Sequence, residues 1–385
     1  MTSRRRVLIV QPSFQGPGGG NAVAAWMLAA LSGGHQLGTL SWSELDINEM
    51  NRMHGTSVNH DDLLVESLPA WIRVAGDTVP LPIGAVKYAV LLRRAKQLAS
   101  RYDLCVSACN EADFGTPGIQ YVHYPFYQRP RPLAEQRWLH RLPVLPLYYW
   151  CVERLARFSM ARMKQNVTLA NSDWTRGLLQ RLHGIEARTL YPPVNVQFPD
   201  VHWSARVNGF LCVGRLSPEK NLDRVIDIVT GVRQHAPDVT LCLAGTPGPK
   251  KYCDHIRQRV SAAGGWVSVR ENLSHQELRA LIPIYRYGIH GMPIEPFGMA
   301  PAEMAAAGCI VFVPNDGGQI EIVNSDPRLV YHATSDAIDR IIRILENPVE
   351  QHAVRNVLMS RAQMFAVERF VSAFREIVDQ ALNAA

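Results

Sequence analysis

The chain has 385 residues, 47% of them hydrophobic and 19% charged, with a formal net charge of +6 and seven cysteines. Such a length suits two domains of ordinary size, and such a composition suits a sizeable core, which excludes a disordered chain. No window approaches eighteen consecutive apolar residues, which excludes a membrane-crossing helix, and the odd set of cysteines matches no zinc or disulfide framework, so the expectation is reduced, mostly buried thiols in a cytoplasmic protein.

The first element is a strand, "RRVLIVQPS". Its apolar run, Val7 to Val10, is too short for the apolar region of a leader. A glycine loop, "GPGGGN" from Gly16 to Asn21, comes next, and then a helix, "NAVAAWMLAALSGG", stopped by Gly-Gly. "YDLCVSAC" and "IQYVHYP" read as further short strands. Between Tyr121 and Lys164 stand eight basic residues (Arg129, Arg131, Arg137, Arg141, Arg154, Arg157, Arg162, Lys164) against Glu135 and Glu153, which equals the surplus of the whole chain. Phe126, Tyr127, Trp138, Tyr148, Tyr149, Trp150 and Phe158 interleave with them. Two readings stand: peripheral contact with an anionic membrane, at the inner face, or a helix with a solvated basic side. No nucleic-acid motif accompanies the charge, so nucleic acid is not an expected partner.

"TLYPPVNVQFP" has three prolines and no helical period, which marks a linker. The pattern then restarts with strand "GFLCVGRL", helix "SPEKNLDRVIDIVTGVRQ", strand "VTLCLAG" and helix "HQELRALIPIY". Strand "YGIHGM", a helix around "APAEMAAAG" and strand "CIVFVP" follow, and "RAQMFAVERFVSAFREIVDQALNAA" closes the chain as one amphipathic helix. Two strand–helix series predict two doubly wound α/β domains facing across a cleft. The expected bounds are 1–195, joined by the helix 365–385, and 200–364.

Three stretches carry chemistry. In "GPGGGN", glycines allow backbone N–H groups to approach an anion at the following helix. The dinucleotide fingerprint fails, because Asn21 stands where its third glycine belongs, and a dehydrogenase fails with it. In "GRLSPEKN", Gly214 to Asn221, Ser217 reads as an N-cap and Pro218 as the first helical residue, so Lys220 falls in the first turn, against the helix dipole. An anion gripped by Arg215 and Lys220 would account for that placement. In "HGMPIEPFGMAPAEMAAAGCIVFVPNDGG", Glu295 and Glu303 stand among apolar residues. Pro301 reads as the start of a helix, which puts Glu303 in an opening turn where acids are common, whereas Glu295 has no such explanation. The N–H groups of Gly298 to Ala300 are suited to a diphosphate, and a carboxylate nearby to sugar or ribose hydroxyls.

The E-x7-E pattern ending at Glu303, with "GRLSPEKN" before it and "NDGGQIEIV" after it, resembles the retaining, nucleotide-sugar-dependent glycosyltransferases of family 4, which have the GT-B fold. The resemblance is strong over about residues 205–325. In the first half "GGG", "QYVHYP" and "NSDWTR…YPPV" fit it more weakly. "QYVHYP" with "EPFG" is also similar to the α-mannosyltransferases that extend lipid-linked oligosaccharides. It implies a nucleotide-sugar donor of GDP-mannose or UDP-sugar type, and a glycan, lipid-linked or small-molecule hydroxyl acceptor. Arg215 and Lys220 would neutralise the donor diphosphate, Glu303 would bind the ribose, Glu295 would contact the transferred sugar, and His123 would lie beside that sugar's anomeric region. Gly18, Gly19 and Gly20 would approach phosphate or acceptor, and Gly298 and Met299 would meet sugar and phosphate through their backbones. Gly214, Phe297 and Ala300 complete the donor set, with Asn272 and Leu273 near the base. Two departures stand out: "EMAAAG" replaces the more usual Glu-Ala-Met-Ala, and Asn21 and Ala22 stand where many members carry an acid.

The implied chemistry uses no cofactor and no metal. A departing diphosphate would be stabilised by Arg215, Lys220 and a helix N-terminus, and no D-x-D occurs to hold magnesium. Retention would follow from attack on the face the diphosphate leaves. A nucleotide-sugar 2-epimerase and a non-catalytic sugar-nucleotide binding protein are the alternatives.

Overall fold

The computed structural model describes residues 4–78, 84–125 and 145–384, and it divides into two compact units. The first comprises Met1–Leu190 with Phe370–Ala385, the second Tyr191–Arg369. In the first, strands β1 (Arg6–Val10), β2 (Gln36–Leu40), β3 (Leu63–Glu66), β4 (Leu104–Ser107), β5 (Ile119–Val122), β6 (Val167–Ala170) and β7 (Arg188–Thr189) form one sheet, in the order β3-β2-β1-β4-β5-β6-β7. Every pairing is parallel. Strands β4 and β5 are buried from end to end, the mark of a sheet with helices on both faces. The alternation along β1 shows the two layers. Val7 and Ile9 face helix 19–31 and the last helix, while Leu8 and Val10 face Leu91, Leu92 and Ala95 of helix 84–98.

The second unit repeats the plan. Strands β8 (Val207–Val213), β9 (Thr240–Gly245), β10 (Val267–Glu271), β11 (Tyr285–Ile289), β12 (Ile310–Pro314) and β13 (Val330–Tyr331) run in the order β10-β9-β8-β11-β12-β13, again all parallel. In each sheet the order reverses beside the opening strand, at β1/β4 and at β8/β11. Outside the carboxyl ends of the strands at such a reversal is where open α/β sheets bind ligands.

Three expectations about elements are corrected. The last stretch is not one helix. Helix 348–362 ends, a 3-10 turn spans Gln363–Phe365, Ala366 is extended at φ −56° and ψ 144°, and helix 367–384 begins afresh. The interruption has a cause in the linker, whose Val194 donates its N–H to the Phe365 carbonyl at 2.8 Å and bridges to Ala366. Phe365 packs in the second unit's core, whereas Phe370, Phe374, Val378 and Leu382, four residues apart, pack in the first unit's. Each of those side chains contributes roughly 1.5–3 kcal/mol by its burial. Second, the units divide at Leu190/Tyr191 and Arg369/Phe370, not at 195–200 and 364/365. Tyr191 explains the first shift, since its ring packs on Phe297 and Phe365 of the second unit. Third, the "SPEK" stretch does not open the long helix, for reasons that belong to the site.

Among the described residues no helix is long and apolar enough to cross a membrane. Arg129, Arg131, Glu135, Arg137, Arg141, Phe126, Tyr127 and Trp138 of the basic aromatic segment lie outside the described residues.

Candidate functional site

In the second unit every candidate follows the carboxyl end of a strand. Gly214 and Arg215 come after β8, Asn272 and Leu273 after β10, and Glu295 after β11. After β8 the chain makes a single 3-10 turn, Pro218–Lys220, and Asn221 then turns left-handed at φ 50° before helix 222–233 begins. Ser217 makes no capping bond. Lys220 therefore lies outside the long helix, and the conflict with its dipole expected from the sequence does not arise. What Lys220 meets is Glu295: its ammonium is 2.5 Å from Oε2, with the Met292 sulfur at 3.4 Å. Gly291 allows that approach, since a Cβ there would stand 2.7 Å from the Lys220 carbonyl and 2.8 Å from that of Asn221.

His290, 2% exposed, reaches the same Oε2 at 3.2 Å through Nε2. Burial alone would raise the Glu295 pKa. The His290 hydrogen bond and the Lys220 charge outweigh it and hold the carboxyl at about 2. Burial lowers the His290 pKa, so the ring is neutral and donates Nε2–H to the carboxylate. Glu295 Oε1 has no hydrogen-bond partner among the described residues. The backbone is fixed as firmly. Gly318 N–H donates to the Glu295 carbonyl at 2.9 Å, and Gly317, left-handed at φ 82°, lies so close that a Cβ would stand 2.2 Å from that oxygen. Gln319, fully buried, donates from Nε2 to the carbonyls of Asp316 at 2.8 Å and Met292 at 3.0 Å. The Tyr331 hydroxyl donates to the His290 carbonyl. "NDGGQ" is thus the clamp that aims Glu295.

Helix 299–306 begins after Gly298, which is left-handed at φ 104°. Met299 and Ala300 supply N–H groups that no helical carbonyl can reach. Glu303 consequently lies in the second turn rather than the first, because the helix opens two residues before Pro301. Its carboxylate has no hydrogen-bond partner among the described residues, and burial pushes its pKa up to about 7, opposed by the charge of Arg279. One other expectation fails. Arg215 does not join Lys220: its side chain is 64% exposed and its carboxylate neighbour is Glu219, at 4.0 Å. The Phe297 ring is buried against Tyr191 and Phe365, so only its backbone could meet a donor. Asn272 is left-handed at φ 55° and donates its N–H to the Gly245 carbonyl at 3.0 Å, while Leu273 packs on the core.

In the first unit Gly18 precedes helix 19–31, which opens with Gly19 and Gly20. A Cβ on Gly20 would stand 3.4 Å from His123 Nε2, so the glycine loop and the histidine do come together. That nitrogen is 3.0 Å from the Ala108 carbonyl, an oxygen that can only accept, so Nε2 carries the proton and Nδ1 is left as an acceptor. Burial lowers the His123 pKa to about 4 and keeps the ring neutral. Asn21, the departure from the acidic pattern, closes the loop by donating to the Gln15 carbonyl at 2.6 Å and accepting from Gln11 at 3.1 Å. Among the described residues no three His, Cys, Asp or Glu side chains group as metal ligands.

Residues 197–358 match the family described as Glycosyl transferases group 1. The second unit carries a group 1 glycosyl transferase domain. The chain is 26% identical over 193 residues to the GDP-mannose-dependent alpha-(1-6)-phosphatidylinositol dimannoside mannosyltransferase of Mycobacterium tuberculosis, which covers 48% of each chain. It is 27% identical over 240 residues, 56% of this chain and 48% of the other, to the human GDP-Man:Man(3)GlcNAc(2)-PP-Dol alpha-1,2-mannosyltransferase. The chain spans about half the length of the curated relatives it matches. Solved structures align over nearly the whole length. Sucrose-phosphate synthase from Thermosynechococcus elongatus has a TM-score of 0.72 at 16% identity, covering 99% of this chain and 100% of that one. WaaG, a glycosyltransferase involved in lipopolysaccharide biosynthesis, has 0.69 at 15%, covering 97% and 99%. Anabaena HepE, in complex with UDP and glucose, has 0.65 at 16%, covering 98% and 99%. The group 1 domain therefore sits in a chain of GT-B fold, as the resemblance implied. The comparisons lend no support to an epimerase.

Proposed function

We propose that the chain is a retaining glycosyltransferase that moves a sugar from a nucleoside-diphosphate donor to a hydroxyl acceptor, with GDP-mannose the first donor to test and a lipid-borne glycan the first acceptor. The activities for which the two mannosyltransferase relatives are named support both choices. HepE, crystallised with UDP and glucose, keeps a uridine donor as the second to test. The observation that carries the reading is a partly buried carboxylate, Glu295, kept ionised by Lys220 and His290 with one oxygen to spare. An ammonium has three donors and Glu295 takes one, so Lys220 can meet a diphosphate without leaving its partner.

In the reaction the bond from the sugar's anomeric carbon to the diphosphate oxygen breaks, and its electron pair goes to the departing phosphate. Lys220 and the N–H groups of Met299 and Ala300 stabilise that charge. The acceptor oxygen attacks on the face being vacated, and its proton passes to the leaving phosphate. Glu295 Oε1 accepts from a hydroxyl of the transferred sugar and Glu303 from the ribose; the first unit's His123 and Gly18 to Gly20 keep the roles that the resemblance implies. No metal is assigned a part. A screen of nucleotide-sugars for release of nucleoside diphosphate, run with and without chelator, tests all of this. Release that is unaffected by chelator is expected; release abolished by chelator and restored by magnesium would refute the metal-free reading.

A further inference from the structure

Among the described residues five large apolar side chains are more than half exposed: Trp71 (73%), Val74 (62%), Leu147 (62%), Trp150 (53%) and Val349 (79%). The first four share one helical layer of the first unit. Helix 70–78 is tied to helix 84–98 by Asp77, which accepts from Lys87 at 2.6 Å and from the Trp42 indole at 2.9 Å. Helix 145–156 packs on helix 84–98 as well, burying Tyr149, Val152 and Ala156. Its other side is the unusual one. Leu147 and Trp150, three residues apart, project together, and the Arg154 guanidinium lies 5.0 Å from the Trp150 ring. Neither Arg154 nor the exposed Arg157 has a carboxylate partner among the described residues.

We infer that this layer is a docking surface for an anionic lipid bilayer, with Trp71, Val74, Leu147 and Trp150 entering the headgroup boundary and Arg154 and Arg157 meeting lipid phosphates. Indole rings flanked by arginine favour such a boundary, which is apolar on one side and charged on the other. A second copy of this chain is the poorer occupant. A two-fold contact through this face would set Arg154 and Arg157 against the same residues of the other copy, like charge on like. The surface serves the lipid-borne acceptor of the proposed function, yet it makes no use of the donor site.

The test is cosedimentation of the full chain with vesicles of phosphatidylcholine alone or of phosphatidylcholine with phosphatidylserine. The wild type should pellet with the anionic vesicles, less so as salt rises, and stay in solution with the neutral ones. Arg154→Gln and Arg157→Gln should each weaken anionic binding roughly fivefold. The pairs Leu147→Ser with Trp150→Ser, and Trp71→Ser with Val74→Ser, should abolish most of it, with melting temperature unchanged because all four side chains are exposed. These variants should still cleave the donor in solution, and Lys220→Ala should still bind vesicles while failing to cleave, so each reading can fail without the other. Wild-type chain that ignores anionic vesicles at low salt, variants that pellet like wild type, or a wild-type dimer that Trp150→Ser dissolves would each overturn the inference.

Discussion

The loop that carries Glu295 and the helix that carries Glu303 are eight residues apart, and each takes a carboxyl group out of water, yet burial has opposite outcomes. Glu295 is met by Lys220 and His290 and held at about 2. Glu303 meets no hydrogen-bond donor among the described residues and is pushed up to about 7. Desolvation raises both; what differs is the company each keeps. A carboxylate already paired inside the protein is a fixed part of the framework. One left half-protonated and unpartnered near neutral pH is the better placed to respond to what binds.

The comparison is broken most severely by removing Glu295. Glu295→Ala leaves Lys220 mostly buried without its counter-ion, at a cost of roughly 3–5 kcal/mol in urea denaturation. Donor turnover should fall by about 10²–10³ as the ammonium is no longer aimed. The acid limb of stability should change with it. The folded pKa of Glu295 lies below its ordinary 4.5, so its stabilisation is complete above about 4.5 and is lost as pH falls toward 2. The variant should lack that loss.

Gly317→Ala attacks the same carboxylate indirectly, through left-handed strain and collision with the Glu295 carbonyl. We expect a cost of about 1–3 kcal/mol and a fall in kcat larger than any change in donor KM. Glu303→Gln sharpens the other side of the comparison. The folded pKa of Glu303 is raised, so the stability its neutral form contributes is whole below about 4.5 and is lost as pH rises to about 7. Above neutrality the glutamine variant should be the more stable by up to about 3 kcal/mol. If Glu303 accepts from the donor ribose as an anion, wild-type donor KM should fall as pH rises through 7, and the variant should lose that dependence. The smallest effect is expected at His123. Its folded pKa of about 4 lies below its ordinary 6.5, so it withdraws stability as pH falls across that window, and His123→Asn should flatten thermal melts there.

Much of the fold was legible because the strands are short apolar runs separated by helical periods, and this pattern exposed the doubly wound plan in both halves. Glu295 could be singled out because charge in an apolar stretch requires a partner, and Lys220 because a cation reads as standing in a helix's first turn. Their pairing with each other could not, since it joins segments 75 residues apart through a turn that reads as the start of a helix. His290 and Gln319 carry no such signal, for a related reason. Each looks like an ordinary polar residue beside a glycine, and its partners become evident only once β11 and β12 are side by side. Arg215 reads as one half of a fork with Lys220, but the left-handed Asn221 and the 3-10 turn before it send Lys220 to Glu295 and leave Arg215 on the exposed loop with Glu219. The break at Ala366 depends on a linker more than 160 residues earlier, which no local period records.

Whether Lys220 quenches charge on a departing diphosphate is decided by the rate at which Lys220→Ala releases nucleoside diphosphate from whichever nucleotide-sugar the wild type cleaves, measured in chelator. A fall of about 10³ with the variant still folded is the expected result. Release at the wild-type rate would show that the negative charge is met elsewhere.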